Sequence, residues 1–191
     1  MEARPLTPEL SVSDQISASD VDAIRAAGFR AIICNRPDGE GADQPNFNEI
    51  DQAAKRVGLE TRYLPAESGK VTDEEGENFG MFMQALPKPV LAYCRTGTRS
   101  TTMWALSQAR LRSISEIVET AKSVGYDLSA LVRRIANGGK TPVEVAEVCH
   151  DIVIIGAGAA GIATAASLLS RDNELDIALI DPADVHYYQP G

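Results

Sequence analysis

The chain carries only three cysteines in 191 residues, Cys34, Cys94 and Cys149, too few and too scattered for a disulfide framework or a paired-cysteine zinc site. Basic residues are also short: 18 Lys and Arg stand against 27 Asp and Glu, a formal net charge of -9, with no local basic run to suit a nucleic-acid backbone. No apolar stretch is long enough to cross a bilayer, and Met1-Glu2-Ala3-Arg4-Pro5 lacks the apolar core of a secretion signal. These absences lead us to expect a soluble, cytoplasmic protein with no nucleic-acid partner, no transmembrane segment and no bound metal. A lone cysteine in a reducing compartment then raises the question of a nucleophile.

The composition is otherwise that of a folded protein, 44% hydrophobic and 24% charged, but its charge is uneven. Residues 1–140 hold 17 basic and 19 acidic side chains, whereas residues 141–191 hold 1 and 8. The change falls at Asn137-Gly138-Gly139-Lys140-Thr141-Pro142, a loop composition, so we expect one domain over 1–140 and a second segment over 141–191.

The first domain reads as strands alternating with helices. Leu10–Val12 is a weak strand. Ser19 to Asp22 opens a helix that Gly28 ends, and Phe29–Cys34 is a buried strand before the turn Asn35-Arg36-Pro37-Asp38-Gly39. Asn46 caps a helix to Val57, Thr61–Leu64 is a strand, and Thr72-Asp73-Glu74-Glu75 is a capping box for a helix ending before Pro87. Val90–Tyr93 is an apolar strand, followed by helical spacing over Ser100–Arg110 and a last helical region over Ser115–Ala136, broken at Gly125. Such alternation predicts an α/β fold, a mostly parallel sheet flanked by helices, with its ligand site beyond the carboxyl ends of the strands.

Cys94-Arg95-Thr96-Gly97-Thr98-Arg99-Ser100 occupies that place, between a buried strand and a helix. A loop wrapped around a cysteine at a helix N-terminus turns several backbone N–H groups onto one point, and the helix dipole adds positive potential. Such surroundings lower a thiol's pKa and favour the nucleophilic thiolate. Cys94 and Arg99 are therefore the expected catalytic pair, with the thiol held in the open by the loop amides. Arg95, Thr96, Gly97, Thr98 and Ser100 are expected to line the anion site, Ser100 by capping the helix or bonding the thiolate. Arg36, Asp38 and Glu40 follow a strand expected beside that of Cys94; a plain charged turn is the favoured reading of them. Cys34 lies inside an apolar strand and is expected in the core, a resolving thiol only if it faces the loop.

The Cys94–Ser100 motif resembles the active loop of rhodanese sulfurtransferases. Residues 3–110, through Ile33-Cys-Asn-Arg-Pro-Asp-Gly-Glu40 and Leu86-Pro-Lys-Pro-Val-Leu-Ala-Tyr-Cys94, are similar to a bacterial family known as beta-lactamase hydrolase-like, phosphatase-like domains, described both as tyrosine-phosphatase-like and as sulfur transferases. The resemblance implies a cysteine-phosphatase-like scaffold and leaves two chemistries. Tyrosine phosphatases carry Cys-x5-Arg, whereas here four residues separate Cys94 from Arg99. They also use an acid, usually Asp, where this chain offers Glu67 or Asp38. Both departures favour sulfur transfer through a Cys94 persulfide, since a thiolate or sulfite leaving group needs no strong acid. The partner would then be a small thiol or sulfur anion, such as thiosulfate or glutathione persulfide, and no cofactor is required. The alternative is a cysteine-dependent phosphatase with Glu67 or Asp38 as acid.

In the second segment, Asp151–Ile155 and Asp176–Ile180 read as strands around Gly156-Ala-Gly158-Ala-Ala-Gly161, with Asp181 at the end of the second: a partial Rossmann-type βαβ fingerprint. The stretch from Asp181 to Gly191 is similar to sulfide:quinone oxidoreductase-like flavoproteins. That resemblance implies FAD, with Gly156, Gly158, Gly161 and Asp181 as cofactor-binding residues, although a single βαβ start is not expected to hold FAD stably.

Overall fold

The computed structural model describes residues 2–143 and 149–181. These divide into two units, Met1–Val143 and Glu144–Gly191, each described on its own. The stretch after Asp181 whose resemblance suggested a flavoprotein lies outside the described residues.

The first unit has a five-stranded sheet in the order β1-β2-β5-β3-β4. Strands β1 (Arg4–Thr7) and β2 (Leu10–Ser13) form an antiparallel hairpin, of which only the second strand is expected from the sequence. Pro5 explains this: a residue without an N–H argues against a strand, but it is tolerated here because β1 is the sheet edge. Strands β3 (Ala31–Cys34), β4 (Glu60–Tyr63) and β5 (Val90–Tyr93) run parallel, and β2 pairs parallel with β5. The expected α/β architecture, mostly parallel with helices on both faces, is therefore present.

The alternation of each central strand supplies two cores. Ala31, Ile33, Val90 and Ala92 pack on one face with Phe79, Met103, Trp104 and Ile117, whereas Ile32, Cys34, Leu91 and Tyr93 pack on the other with Ile24, Ile50 and Ala54. Helices α1 (Val21–Ala26) and α2 (Phe47–Arg56) cover the second face. Helices α3 (Asp73–Ala85), α4 (Thr98–Gln108), α5 (Ile114–Ser123) and α6 (Val132–Ala136) supply the first. Helix α4 is central, burying Met103, Trp104, Ala105 and Leu106, each large apolar side chain contributing about 1.5–3 kcal/mol. Gly76 lets α3 approach it closely: a Cβ there would lie 2.9 Å from Leu106 Cβ.

Local signals are mostly obeyed, with physical exceptions. Thr72 and Glu75 form the expected capping box, Glu75 N–H donating to Thr72 Oγ1 at 3.2 Å and Thr72 N–H to Glu75 Oε2 at 2.7 Å. The first helical region starts earlier than expected, as a short 3₁₀ turn at Ala18–Asp20 where Ser17 N–H donates to Asp20. The last helical region is three pieces, α5, a 3₁₀ turn at Ser129–Leu131 and α6, because Gly125 adopts a left-handed conformation at φ 91°.

The second unit pairs β6 (Ile152–Ile155) with β7 (Ile177–Ile180) in parallel around α7 (Ala159–Leu169). No helix among the described residues is long and apolar enough to cross a membrane.

Candidate active site

Strand β5 lies in the middle of the sheet, with parallel neighbours β2 and β3 on either side, so three carboxyl ends converge at Cys94. Cys94 N–H bonds back to the Ser13 carbonyl of β2 at 3.4 Å. The loop then doubles over its own sulfur: Gly97 N–H donates to Cys94 Sγ at 3.1 Å. Gly97 is the N-cap of α4, at φ 84°, so the helix begins two residues earlier than its apolar spacing suggests. The helix N-terminus therefore faces the sulfur, as an anion loop requires.

The sulfur is not in the open. Cys94 is 1% exposed, enclosed by the loop that begins on it, contrary to the expectation of an accessible thiol. Its loop neighbours divide. Arg95, Thr96 and Thr98 are exposed, and the two threonine hydroxyls lie 3.0 Å apart. Ser100 is buried with no hydrogen-bond partner for its Oγ among the described residues. It does not cap the helix, because Gly97 holds that position.

Arg99 is 5% exposed and doubly clamped. Its Nη1 donates to Glu40 Oε1 and its Nη2 to Glu40 Oε2, at 2.8 and 2.7 Å, the two-pronged geometry that fixes a guanidinium in plane. Nη1 also donates to the Ala66 carbonyl at 2.8 Å. Burial works against the Arg99 charge, but the hydrogen bonds to Glu40 and the field of Cys94 outweigh it and raise its pKa. Glu40 Oε2 accepts a further bond from Arg36 Nε at 2.7 Å, and Arg36 Nη1 reaches Gln15 Oε1 at 2.9 Å. The hydrogen bond from Arg99 foremost, with that from Arg36, holds the Glu40 carboxyl below the usual carboxylate range against a partial desolvation. The turn Arg36–Glu40, read from sequence as a plain charged turn, is thus the brace of Arg99.

The two acid candidates are placed differently. Asp38 Oδ1 accepts the Phe47 N–H at 2.8 Å, so it caps α2 in place of the Asn46 side chain. Glu67 follows Ala66, whose carbonyl accepts from Arg99; its exposed carboxylate pairs with Lys70 at 2.8 Å. Cys34 lies in the core as expected: it packs with Tyr93 on the α1–α2 face, its Sγ donates to the Arg36 carbonyl at 3.3 Å, and burial pushes its thiol up to about 11.

Gly97 is required twice over. Its φ is left-handed, and a Cβ would lie 2.0 Å from Tyr126 Oη. Gly97→Ala is therefore expected to lower the unfolding free energy by roughly 1–3 kcal/mol in a thermal or denaturant melt. An unchanged midpoint contradicts this packing.

In the second unit, Gly161 lies against the Gly156 carbonyl, where a Cβ would approach to 1.8 Å, while Gly158 has open space around it. This is the close helix–strand contact expected of Gly161 from the sequence. Asp181 accepts a hydrogen bond from Ala157 N–H, so its carboxylate braces the glycine loop. Among the described residues no cluster of His, Cys, Asp or Glu is arranged to hold a metal.

A parallel α/β sheet whose central strand delivers a cysteine into an amide loop, closed by a braced arginine, defines a cysteine-phosphatase-like domain. The chain belongs to the family of beta-lactamase hydrolase-like proteins, phosphatase-like domain, whose model matches residues 2–111. It is 32% identical over 135 residues, 70% of its length, to the beta-lactamase hydrolase-like protein of Agrobacterium fabrum, and spans 31% of that protein. A Neisseria meningitidis protein solved as a candidate phosphatase shares 32% identity and a TM-score of 0.64, over 70% of this chain and 96% of that one. PTPMT1 in complex with PI(5)P shares the fold at a TM-score of 0.58 and 19% identity, over 72% of this chain and 94% of that one.

Proposed function

We propose that the first unit is a cysteine-dependent phosphatase acting on phosphate monoesters. The observation that carries this reading is the pairing of Cys94, bonded by the Gly97 amide, with an Arg99 held in plane by both Glu40 oxygens. The sulfur attacks phosphorus in line, forming a P–S bond as the P–O bond to the leaving group breaks. The loop amides and Arg99 take the charge on the equatorial oxygens. Glu67, next in the chain to the Ala66 that Arg99 holds, delivers the proton to the leaving oxygen; its carboxylate then takes a proton from the water that attacks phosphorus and releases Cys94.

The spacing Cys-x4-Arg, one residue shorter than the tyrosine-phosphatase motif, favours a second reading. The same sulfur would attack a sulfane sulfur, hold it as a persulfide and pass it to an acceptor thiol, with no acid needed. The family and the phosphatase fold of the relatives support the first reading over this one.

Hydrolysis of aryl phosphates by the whole chain separates the two. The phosphatase account expects turnover of p-nitrophenyl phosphate and no sulfur adduct after incubation with thiosulfate or glutathione persulfide; an adduct without turnover supports the sulfur account. Within the phosphatase account, Glu67→Gln is expected to slow phenyl phosphate by about 10²-fold and p-nitrophenyl phosphate much less, because only the poorer leaving group needs its proton. Equal losses on both substrates remove Glu67 from the acid role and return Asp38 to consideration.

A further inference from the structure

The Thr96–Gly97 peptide unit is gripped at both ends. A trans peptide points its carbonyl and its N–H in opposite directions, so fixing one fixes the other. On one side Gly97 N–H donates to Cys94 Sγ at 3.1 Å. On the other, the Thr96 carbonyl accepts from Tyr126 Oη at 3.0 Å. An anion loop needs its amides turned inward, so its carbonyls turn outward and require partners of their own. The next carbonyl, Gly97, finds them inside α4, from Thr101 N–H at 3.0 Å and Thr101 Oγ1 at 2.9 Å. Thr96 has no such recourse and depends on a residue thirty positions away.

Tyr126 is built for the task. Helix α5 ends at Gly125 in a left-handed turn, and Tyr126 N–H closes back on the Ala121 carbonyl at 3.0 Å, which fixes the direction in which the side chain leaves. The ring packs in the core with Ile117 and Ala121, and Arg4 sits 5.5 Å over its centroid. Burial, with the negative field of Cys94 adding, raises the phenol's pKa and keeps it a donor, against the opposing pull of Arg4. Tyr126 lies beyond the stretch matched by the family model, residues 2–111.

We infer that Tyr126 is a positioning residue of the anion loop: its hydroxyl holds the Thr96 carbonyl outward and thereby presents the Gly97 N–H to the sulfur and to a bound oxyanion. The inference rests on the loop's being an anion cradle, and not on a phosphate ester's being the substrate. Without the hydroxyl, the Thr96 carbonyl loses its partner and the peptide is free to rotate, turning a carbonyl dipole toward the anion.

The test is protection of Cys94 from iodoacetamide by orthovanadate, followed as the mass of the Cys94 peptide, in the whole chain and in Tyr126→Phe, which keeps the ring. The variant is expected to need roughly three to ten times more vanadate, the value of one hydrogen bond, with a matching fall in kcat/KM for p-nitrophenyl phosphate. Leu128→Ala, which truncates a buried side chain just beyond Tyr126 without touching the Thr96 carbonyl, is the control for general loosening and is expected to keep wild-type protection even where it melts earlier. Equal protection in Tyr126→Phe and wild type overturns the inference. So does a Leu128→Ala shift as large as that of Tyr126→Phe, or a wild-type Cys94 that vanadate does not protect. If protection depends on Tyr126 but no phosphate ester is hydrolysed, the positioning role stands and the phosphatase reading falls. Hydrolysis unaltered in Tyr126→Phe gives the reverse.

Discussion

Cys94→Ser is expected to abolish hydrolysis of p-nitrophenyl phosphate, by roughly 10³-fold or more, while leaving the fold intact. The size follows from the chemistry: an alcohol held where a thiolate should be is a far weaker nucleophile at neutral pH, and removing the nucleophile of a concerted site costs nearly all of its catalysis. The structural change is small. Serine can still accept the Gly97 N–H at a position that is already buried. A melting midpoint near that of wild type, combined with lost turnover, is the expected pair of results. Residual turnover within tenfold of wild type places the nucleophile elsewhere.

Glu40→Gln is expected to lower both stability and turnover. Glu40 is the shared acceptor of two arginines, Arg36 and Arg99, whose side chains are 10% and 6% exposed. Glu40 itself is exposed, so water takes part of its place and Gln keeps one acceptor oxygen, but two largely buried guanidiniums lose their shared counter-charge, a change worth about 1–2 kcal/mol. For a unit of this size that is roughly a 5 °C fall in melting midpoint. The pH dependence has a definite sign. Because Arg99 foremost, with Arg36, lowers the Glu40 carboxyl in the folded state, its stabilising contribution is fully present above the unfolded glutamate value of about 4.3 and is lost as pH drops through the lower folded value. Wild type should therefore lose stability in acid more steeply than Glu40→Gln, measured by denaturant unfolding between neutral pH and pH 3. Parallel pH profiles would show that Glu40 bears no linked charge. Turnover should fall as well, since Arg99 keeps the Ala66 carbonyl but loses the fork that sets its plane.

The element that carries the nucleophile was legible because its signals are local. An apolar run of strand length, a cysteine, a glycine and an arginine lie within ten residues, and the topology rule for parallel sheets then places them at the carboxyl edge. The brace was not legible in the same way. Glu40 and Arg99 are 59 positions apart, and only the pairing of β3 beside β5 brings the turn after Cys34 to the arginine. A signal was available, since Arg36 and Glu40 are spaced to bond each other directly after a strand expected to neighbour that of Cys94, but Pro37 and Gly39 give the same segment a sufficient explanation as a turn. Asp38 shows the opposite outcome: a carboxylate read as a candidate acid is committed to the backbone of α2. Tyr126 had no sequence signal. Its role depends on where a helix ends and on the direction of one carbonyl, and neither is encoded in a motif.

Loop length and the missing Asp both point toward sulfur in the sequence, and the loop's closure bears on the first of them. The short loop closes on its cysteine through Gly97 and begins a helix two residues before the spacing suggests, so a loop of this length still turns an amide onto the sulfur at a helix N-terminus. The enclosed sulfur, 1% exposed, also suits chemistry on a small oxyanion that descends to it better than exchange with a bulky thiol.

The most direct measurement is a rapid acid quench of the whole chain during turnover of p-nitrophenyl phosphate, with the Cys94 peptide weighed by mass spectrometry. The phosphatase account predicts a transient gain of one phosphoryl group on Cys94, absent from Cys94→Ser. A Cys94 peptide that stays unmodified through turnover, or that gains only a sulfur atom when thiosulfate is supplied in its place, would contradict it.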